Sequence, residues 1–176
     1  QCLYKPDIMC LSKGLTGGFL PLAVTASTEA IYEAFLSDDK SKMLFHGHSF
    51  TANPIGCAAS VASMDLFAQE ATVSRIRRLC AVQEAAIARF ENISSVTNVR
   101  VTGTIIAMDL RTDGATGYLN HAGKAIAEYM LENGVLMRPL GNVLYIMPPY
   151  TIEMEALERI YELLESKLKE LERTAV

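Results

Sequence analysis

Beyond residue 70 the apolar residues keep switching period, and this switching is the strongest constraint on the fold. Val73, Ile76, Leu79, Cys80, Ile87 and Phe90 recur at helical spacing, the stripe of an amphipathic helix over about 71–91. Arg75, Arg77, Arg78, Glu84 and Arg89 fill much of the remainder and read as its solvated face. "VRVTGTIIAMDL" (99–110) then reads as strand, with Gly103 a bulge or a point of close approach. A helix is expected from Asn120 as cap to Gly134 as terminator, with Ala122, Ile126, Tyr129 and Met130 as its stripe. "VLMRPL" and "VLYIMPP", separated by Gly141-Asn142, resemble a hairpin, although Pro139 limits how far the first strand can pair. A long helix closes the chain from Ile152 to about Glu172, buried through Leu157, Ile160, Tyr161, Leu164, Leu168 and Leu171. Glu155 with Arg159 and Glu165 with Lys169 are expected pairs on its wet side. The outcome is an α/β subdomain over 69–176 with a mixed or antiparallel sheet.

The first 68 residues read differently, as the tail of another, larger α/β unit. Residues 7–11 form a short apolar run fit for a buried strand, and a second run spans Phe19 to Thr25. Helical signals run from Thr28 to Phe35, and "SDDKSK" is a surface loop. Asn53-Pro54 is a helix start: a capping side chain, then a residue with φ already fixed. Cys57, Ala58, Ala59 and Ala62 make that helix small and apolar nearly all round, which predicts burial.

Composition excludes several classes. Half of the 176 residues are hydrophobic, enough for a sizeable core, and 16 Lys and Arg face 20 Asp and Glu. That mild acidity argues against a nucleic-acid partner. No apolar run reaches the ~18 residues of a membrane helix. The opening Gln1-Cys2-Leu3-Tyr4-Lys5-Pro6 lacks the pattern of a signal peptide. Cys2, Cys10, Cys57 and Cys80 show no metal spacing and read as buried thiols of a reducing cytoplasm. The chain has no initiator Met and enters a strand almost at once, so a fragment of a longer protein is expected.

The chemistry centres on Lys13, in "DIMCLSKGLTGGFLPLAV". It can be a solvated lysine in a glycine turn. A phosphate loop fits poorly, because its glycines precede the lysine and here they follow it. The third reading is a Schiff-base lysine. A primary amine condenses with an aldehyde only when unprotonated, which burial and nearby positive charge favour. Glycines after it let backbone pass close beside a flat ring.

"SKGLTGG" followed by "HGHSFTANPIGCAAS" resembles the class III pyridoxal-phosphate aminotransferases, which include the ornithine and 4-aminobutyrate enzymes. "LSKGLTGGFLPLAVT" and "LMRPLGNVLYIMPPY" carry a closer likeness to the adenosylmethionine–8-amino-7-oxononanoate aminotransferases of biotin synthesis. The likeness covers almost the whole chain but only the carboxy-terminal part of the family's subunit. It implies the end of the large domain of a fold-type I transferase over 1–68, and the small α/β domain over 69–176. It implies pyridoxal 5'-phosphate as cofactor, held by Lys13 as an imine, with Lys13 then shuttling the proton. It places His48 and Ser49 where the family binds the phosphate of a neighbouring subunit, in a homodimer whose cofactor sites are shared. Family members often carry Pro-Thr at that pair, and Ser49 keeps the hydroxyl. Gly47 matches a position against the substrate. Arg138, otherwise a surface arginine, matches the family's clamp on the carboxylate of 8-amino-7-oxononanoate, with S-adenosylmethionine as donor. His46 and His48 alone are weak evidence for a metal, and none is expected. The carboxylate for the pyridine nitrogen, the main phosphate cup and the ring that stacks on the cofactor match no position here, so no transamination is expected without them. A related ω-amine transaminase and a non-catalytic module are the alternatives.

Overall fold

The computed structural model describes residues 4–112, 116–117 and 120–174, so Cys2 lies outside the described residues. It divides into two compact units, Gln1–Glu70 and Ala71–Val176.

The first unit is built from β1 (Ile8–Leu11), β2 (Val24–Ser27), α1 (Glu29–Glu33) and α2 (Pro54–Ala68). β1 and β2 pair antiparallel, Ile8 opposite Ser27 and Leu11 opposite Val24. The expected run from Phe19 begins as strand only at Val24. Gly17 and Gly18 hold left-handed φ values, and Pro21 has no N–H to offer a ladder. Neither strand is buried, contrary to what was expected of residues 7–11. A two-stranded ribbon that no layer covers among the described residues cannot hide its side chains.

α2 starts as its sequence predicts: the Ile55 N–H donates to Asn53 Oδ1 at 3.0 Å and Pro54 occupies the first turn. Its expected burial does not follow. Gly56 alone is buried, against Leu22 and the Pro21 carbonyl, while Val61, Met64 and Leu66 are exposed. Small apolar side chains predict close packing only if a surface exists to receive them, and two short strands supply too little. Cys10 and Cys57 are exposed and Cys80 half-buried, which corrects the expectation of buried thiols.

The second unit runs α3 (Glu70–Phe90), β3 (Val96–Thr102), β4 (Ile105–Leu110), α4 (Lys124–Glu132), β5 (Val143–Ile146) and α5 (Met154–Thr174). Its sheet has the order β3-β4-β5, antiparallel throughout. Gly103 lies in the two-residue turn joining β3 to β4, with φ +59°. A turn between paired strands needs such a residue first, so Gly103 is turn rather than bulge. The bulge falls between Thr97 and Arg100, where Asn98 takes φ +51°. The expected strand 135–140 does not form. Only Leu140 bridges to Val143 across Gly141-Asn142, because Pro139 cannot donate to a ladder.

α4 begins at Lys124, later than its Asn120 cap predicts. Asn120 Oδ1 instead accepts the Ala122 N–H at 2.7 Å, closing a turn ahead of the helix. Asn133 and Gly134, at φ +80°, end it as expected.

The core joins α3, the sheet, α4 and α5. Leu79, Phe90, Ile106, Met108, Ile126, Met130, Leu144, Leu157, Leu164 and Leu168 are all buried. Alternate residues of β4 and β5 face inward, the period-two pattern of a sheet covered on one side. Each such side chain contributes about 1.5–3 kcal/mol. Polar Gln83 joins them: it is 0% exposed, donates to the Thr104 carbonyl at 2.8 Å and accepts from Tyr161 Oη at 2.8 Å. Burial pushes the Tyr161 hydroxyl up to about 12.

Arg89 is more than solvated face. It pairs with Glu158 at 2.7 Å and Glu165 at 2.8 Å and lies over the Tyr161 ring. On α5 the Glu165–Lys169 pair forms at 2.6 Å, whereas Arg159 donates to the Asn133 carbonyl instead.

Candidate active site

Lys13 opens a single tight turn, Lys13–Leu15, directly after β1. The turn is held from both sides. Leu15 N–H donates to the Ser12 carbonyl at 2.9 Å, and Gly18 N–H returns to the Lys13 carbonyl at 3.2 Å. Thr16 is the anchor, 5% exposed, with Oγ1 donating to the Leu20 carbonyl at 2.6 Å. Sequence reasoning passed over Thr16; its signal was a small hydroxyl residue flanked by the glycines of "GLTGG". Gly17 and Gly18 at φ +62° and +84° make this reversal possible, since other residues resist that region. A side chain at Gly14 or Gly18 would meet nothing within 4 Å, so the backbone beside the amine is open on that flank. The Lys13 side chain is exposed and has no hydrogen bond or ion pair among the described residues. An unengaged amine beside an open glycine turn fits a flat aldehyde ring; the burial expected of such an amine is not supplied by the described residues.

Gly47, His48 and Ser49 lie together on the exposed loop ahead of α2. His48 organises it: its Nδ1 accepts the Phe50 N–H at 3.2 Å, its carbonyl accepts the Thr51 N–H at 2.9 Å, and its ring tilts against Phe50. Ala52 follows with φ +54°, a strained setting for a residue with a Cβ. Hydrogen-bonded backbone beside an exposed Ser49 suits a phosphate oxygen. His46 and His48 line an apolar groove of about 1190 Å³ with Ile8, Leu22, Tyr32 and Phe35. Ser12, the residue before Lys13, lines the same groove, and Lys13 does not. No cluster suited to a metal ion occurs among the described residues.

Arg138 belongs to the second unit and is exposed. Its neighbours hold it: Met137 is 8% exposed, and Pro139 lies against Gly123 at the start of α4. The guanidinium therefore projects from a short segment pinned on both sides. No helix among the described residues is long and apolar enough to cross a membrane.

The family profile for class-III aminotransferases matches residues 2–168. The adenosylmethionine-8-amino-7-oxononanoate aminotransferase of Synechococcus elongatus is 42% identical over 170 residues, covering 95% of this chain and 39% of the relative. The crystal structure of the enzyme of that name from Methanocaldococcus jannaschii superposes with a TM-score of 0.86 at 36% identity, over 94% of this chain and 39% of that one. An amine transaminase from an uncultivated Pseudomonas species, in a PLP-bound (internal aldimine) form, gives 0.77 at 32% identity, over 91% of this chain and 37% of that one. The chain thus spans about 39% of the length of the curated relative from Synechococcus elongatus. The chain belongs to the class-III aminotransferases.

Proposed function

We propose that this chain carries the lysine turn and the carboxylate clamp of a pyridoxal-phosphate aminotransferase that makes 7,8-diaminononanoate from 8-amino-7-oxononanoate in biotin synthesis. S-Adenosylmethionine is the amino donor. The observation that carries the reading is the unengaged Lys13 amine beside an open glycine flank, in a chain whose relatives bear that enzyme's name. On this reading residues 1–68 end the large cofactor domain and residues 69–176 form the small domain. The enzyme is a cytoplasmic homodimer.

Bound pyridoxal phosphate supplies an electron sink for the carbon that loses its proton. The chain's own residues do the rest. Lys13 would hold the cofactor's aldehyde carbon and, as a free amine, would serve as the base that takes the proton from the donor's α-carbon. The Thr16 bond and the Gly17-Gly18 reversal hold the lysine turn. Ser49 Oγ and the backbone at His48 would donate to the phosphate of the neighbouring subunit's cofactor, a role that an exposed loop can serve. Gly47 leaves room for substrate. Arg138 binds the substrate carboxylate through two parallel charge-assisted hydrogen bonds, fixing its angle as well as its position.

The donor separates this reading from an ω-amine transaminase of the ornithine or 4-aminobutyrate kind. With the assembled enzyme, 8-amino-7-oxononanoate and S-adenosylmethionine should yield 7,8-diaminononanoate, and glutamate in its place should not. Turnover with glutamate alone contradicts the biotin assignment.

A further inference from the structure

Gly123 stands at the N-cap of α4 with φ −72°, a conformation any residue can adopt. Glycine is therefore not required there by backbone torsion. It is required by space. A Cβ at position 123 would lie 2.5 Å from Pro139 Cβ, 3.0 Å from Pro139 Cγ and 2.7 Å from the Gly141 carbonyl oxygen. None of these is the end of a flexible side chain, so something must shift.

What shifts is decided by anchoring. The α4 side is fixed: the Gly123 carbonyl accepts the Ala127 N–H at 3.0 Å, and Ile126 and Met130 are fully buried. The 140–143 turn is fixed as well. Leu140 and Val143 exchange two backbone hydrogen bonds, and buried Asn142 accepts the Leu110 N–H at 2.7 Å through its carbonyl. The less tethered pair is Arg138 and Pro139, between the buried Met137 and the Leu140 turn: neither makes a hydrogen bond among the described residues, and Arg138 is exposed. An added methyl is therefore relieved by moving Pro139, and with it the arginine one residue before.

We propose that Gly123 is a positioning residue for Arg138: its missing side chain lets the 138–141 segment seat against α4 and so sets the angle at which the guanidinium meets a substrate carboxylate. This rests on the reading of Arg138 as carboxylate clamp. Two parallel hydrogen bonds tolerate little rotation, so a small displacement costs binding.

The test uses the assembled holoenzyme with a carboxylate-bearing amino acceptor and its methyl ester. Arg138→Ala is the reference and should raise KM for the acid by about 10–100-fold, as loss of hydrogen bonds between charged groups implies, while changing KM for the ester little. Gly123→Ala should raise KM for the acid by about tenfold, leave kcat within about twofold and leave the ester unaffected. Pro139→Gly loosens the same contact without adding an atom. It should show the same selective rise, and it decides the matter if Gly123→Ala does not fold. An equal rise for acid and ester, or no rise while Arg138→Ala shows one, overturns the role of Gly123. No selectivity in Arg138→Ala overturns the carboxylate reading itself, and the inference with it.

Discussion

The two units hold their candidate functional residues in different ways. In residues 71–176, ten large apolar side chains from three helices and two strands close on one another, and even the polar Gln83 finds its partners inside. In the described residues up to 70, only Thr16 and Gly56 are buried, and Phe19 is 80% exposed. Arg138 projects from a scaffold held by hydrophobic burial. Lys13 projects from a turn held by hydrogen bonds and glycine torsions. The lesson is that the residue proposed for the chemistry sits on the half of this chain with no core of its own. Surfaces as apolar as Leu36, Leu44, Phe45 and Phe50 present are ones that proteins cover.

The largest expected effect tests that contrast directly. Residues 71–176 produced alone should fold cooperatively, with a sharp thermal transition and dispersed amide resonances. Residues 1–70 produced alone should show neither. Equal behaviour of the two pieces would erase the distinction. Next in size are paired truncations within the whole chain. Phe90→Ala should destabilise the second unit by about 3–5 kcal/mol through cavity formation, and Phe19→Ala should change stability by less than about 0.5 kcal/mol. Chemical denaturation measures both.

Tyr161 gives a smaller effect with a sign. Its hydroxyl is raised from 10.0 to about 12 in the fold, so the neutral form is favoured there. Stability from this source is complete below pH 10.0, declines as the pH rises and is gone above about 12. Tyr161→Phe should remove that alkaline slope. It should also cost about 1–3 kcal/mol at neutral pH by leaving Gln83 Oε1 without its donor. The smallest effect is on the acid side. The hydrogen bond from Lys169, with Arg89 also contributing, holds the Glu165 carboxyl below its ordinary value of 4.5. Its contribution is present above pH 4.5 and fades as the pH falls through the lower native value, so Glu165→Gln should flatten that limb in a pH series of melting temperatures.

The second unit was largely legible in the sequence because its signals are periodic. The stripes through Leu157, Leu164 and Leu168, and through Ile126 and Met130, point inward as their spacing requires. Proline and glycine marked the turns, but their roles needed three dimensions. Gly103 reads as a bulge or a point of close approach until its partner strand shows it to be a turn, and Asn98 carries the bulge without any glycine to announce it. Gln83 was invisible, since a glutamine on an amphipathic helix reads as solvated until Tyr161 and Thr104 are found beside it. In the first unit the reverse happened. Apolar composition along β1 and α2 predicted burial, yet burial depends on what lies opposite, and no count along one chain supplies that. The candidate residues were readable as types: an amine before glycines, a hydroxyl in a histidine loop, an arginine before proline. Their supports, Thr16 and Gly123, emerge only from distances.

The central claim is that the Lys13 amine is the one joined covalently to the cofactor. Borohydride reduction of the assembled enzyme with saturating pyridoxal phosphate, followed by peptide mass mapping, should place a pyridoxyl tag on Lys13. A tag on another lysine, or no tag under those conditions, would contradict it.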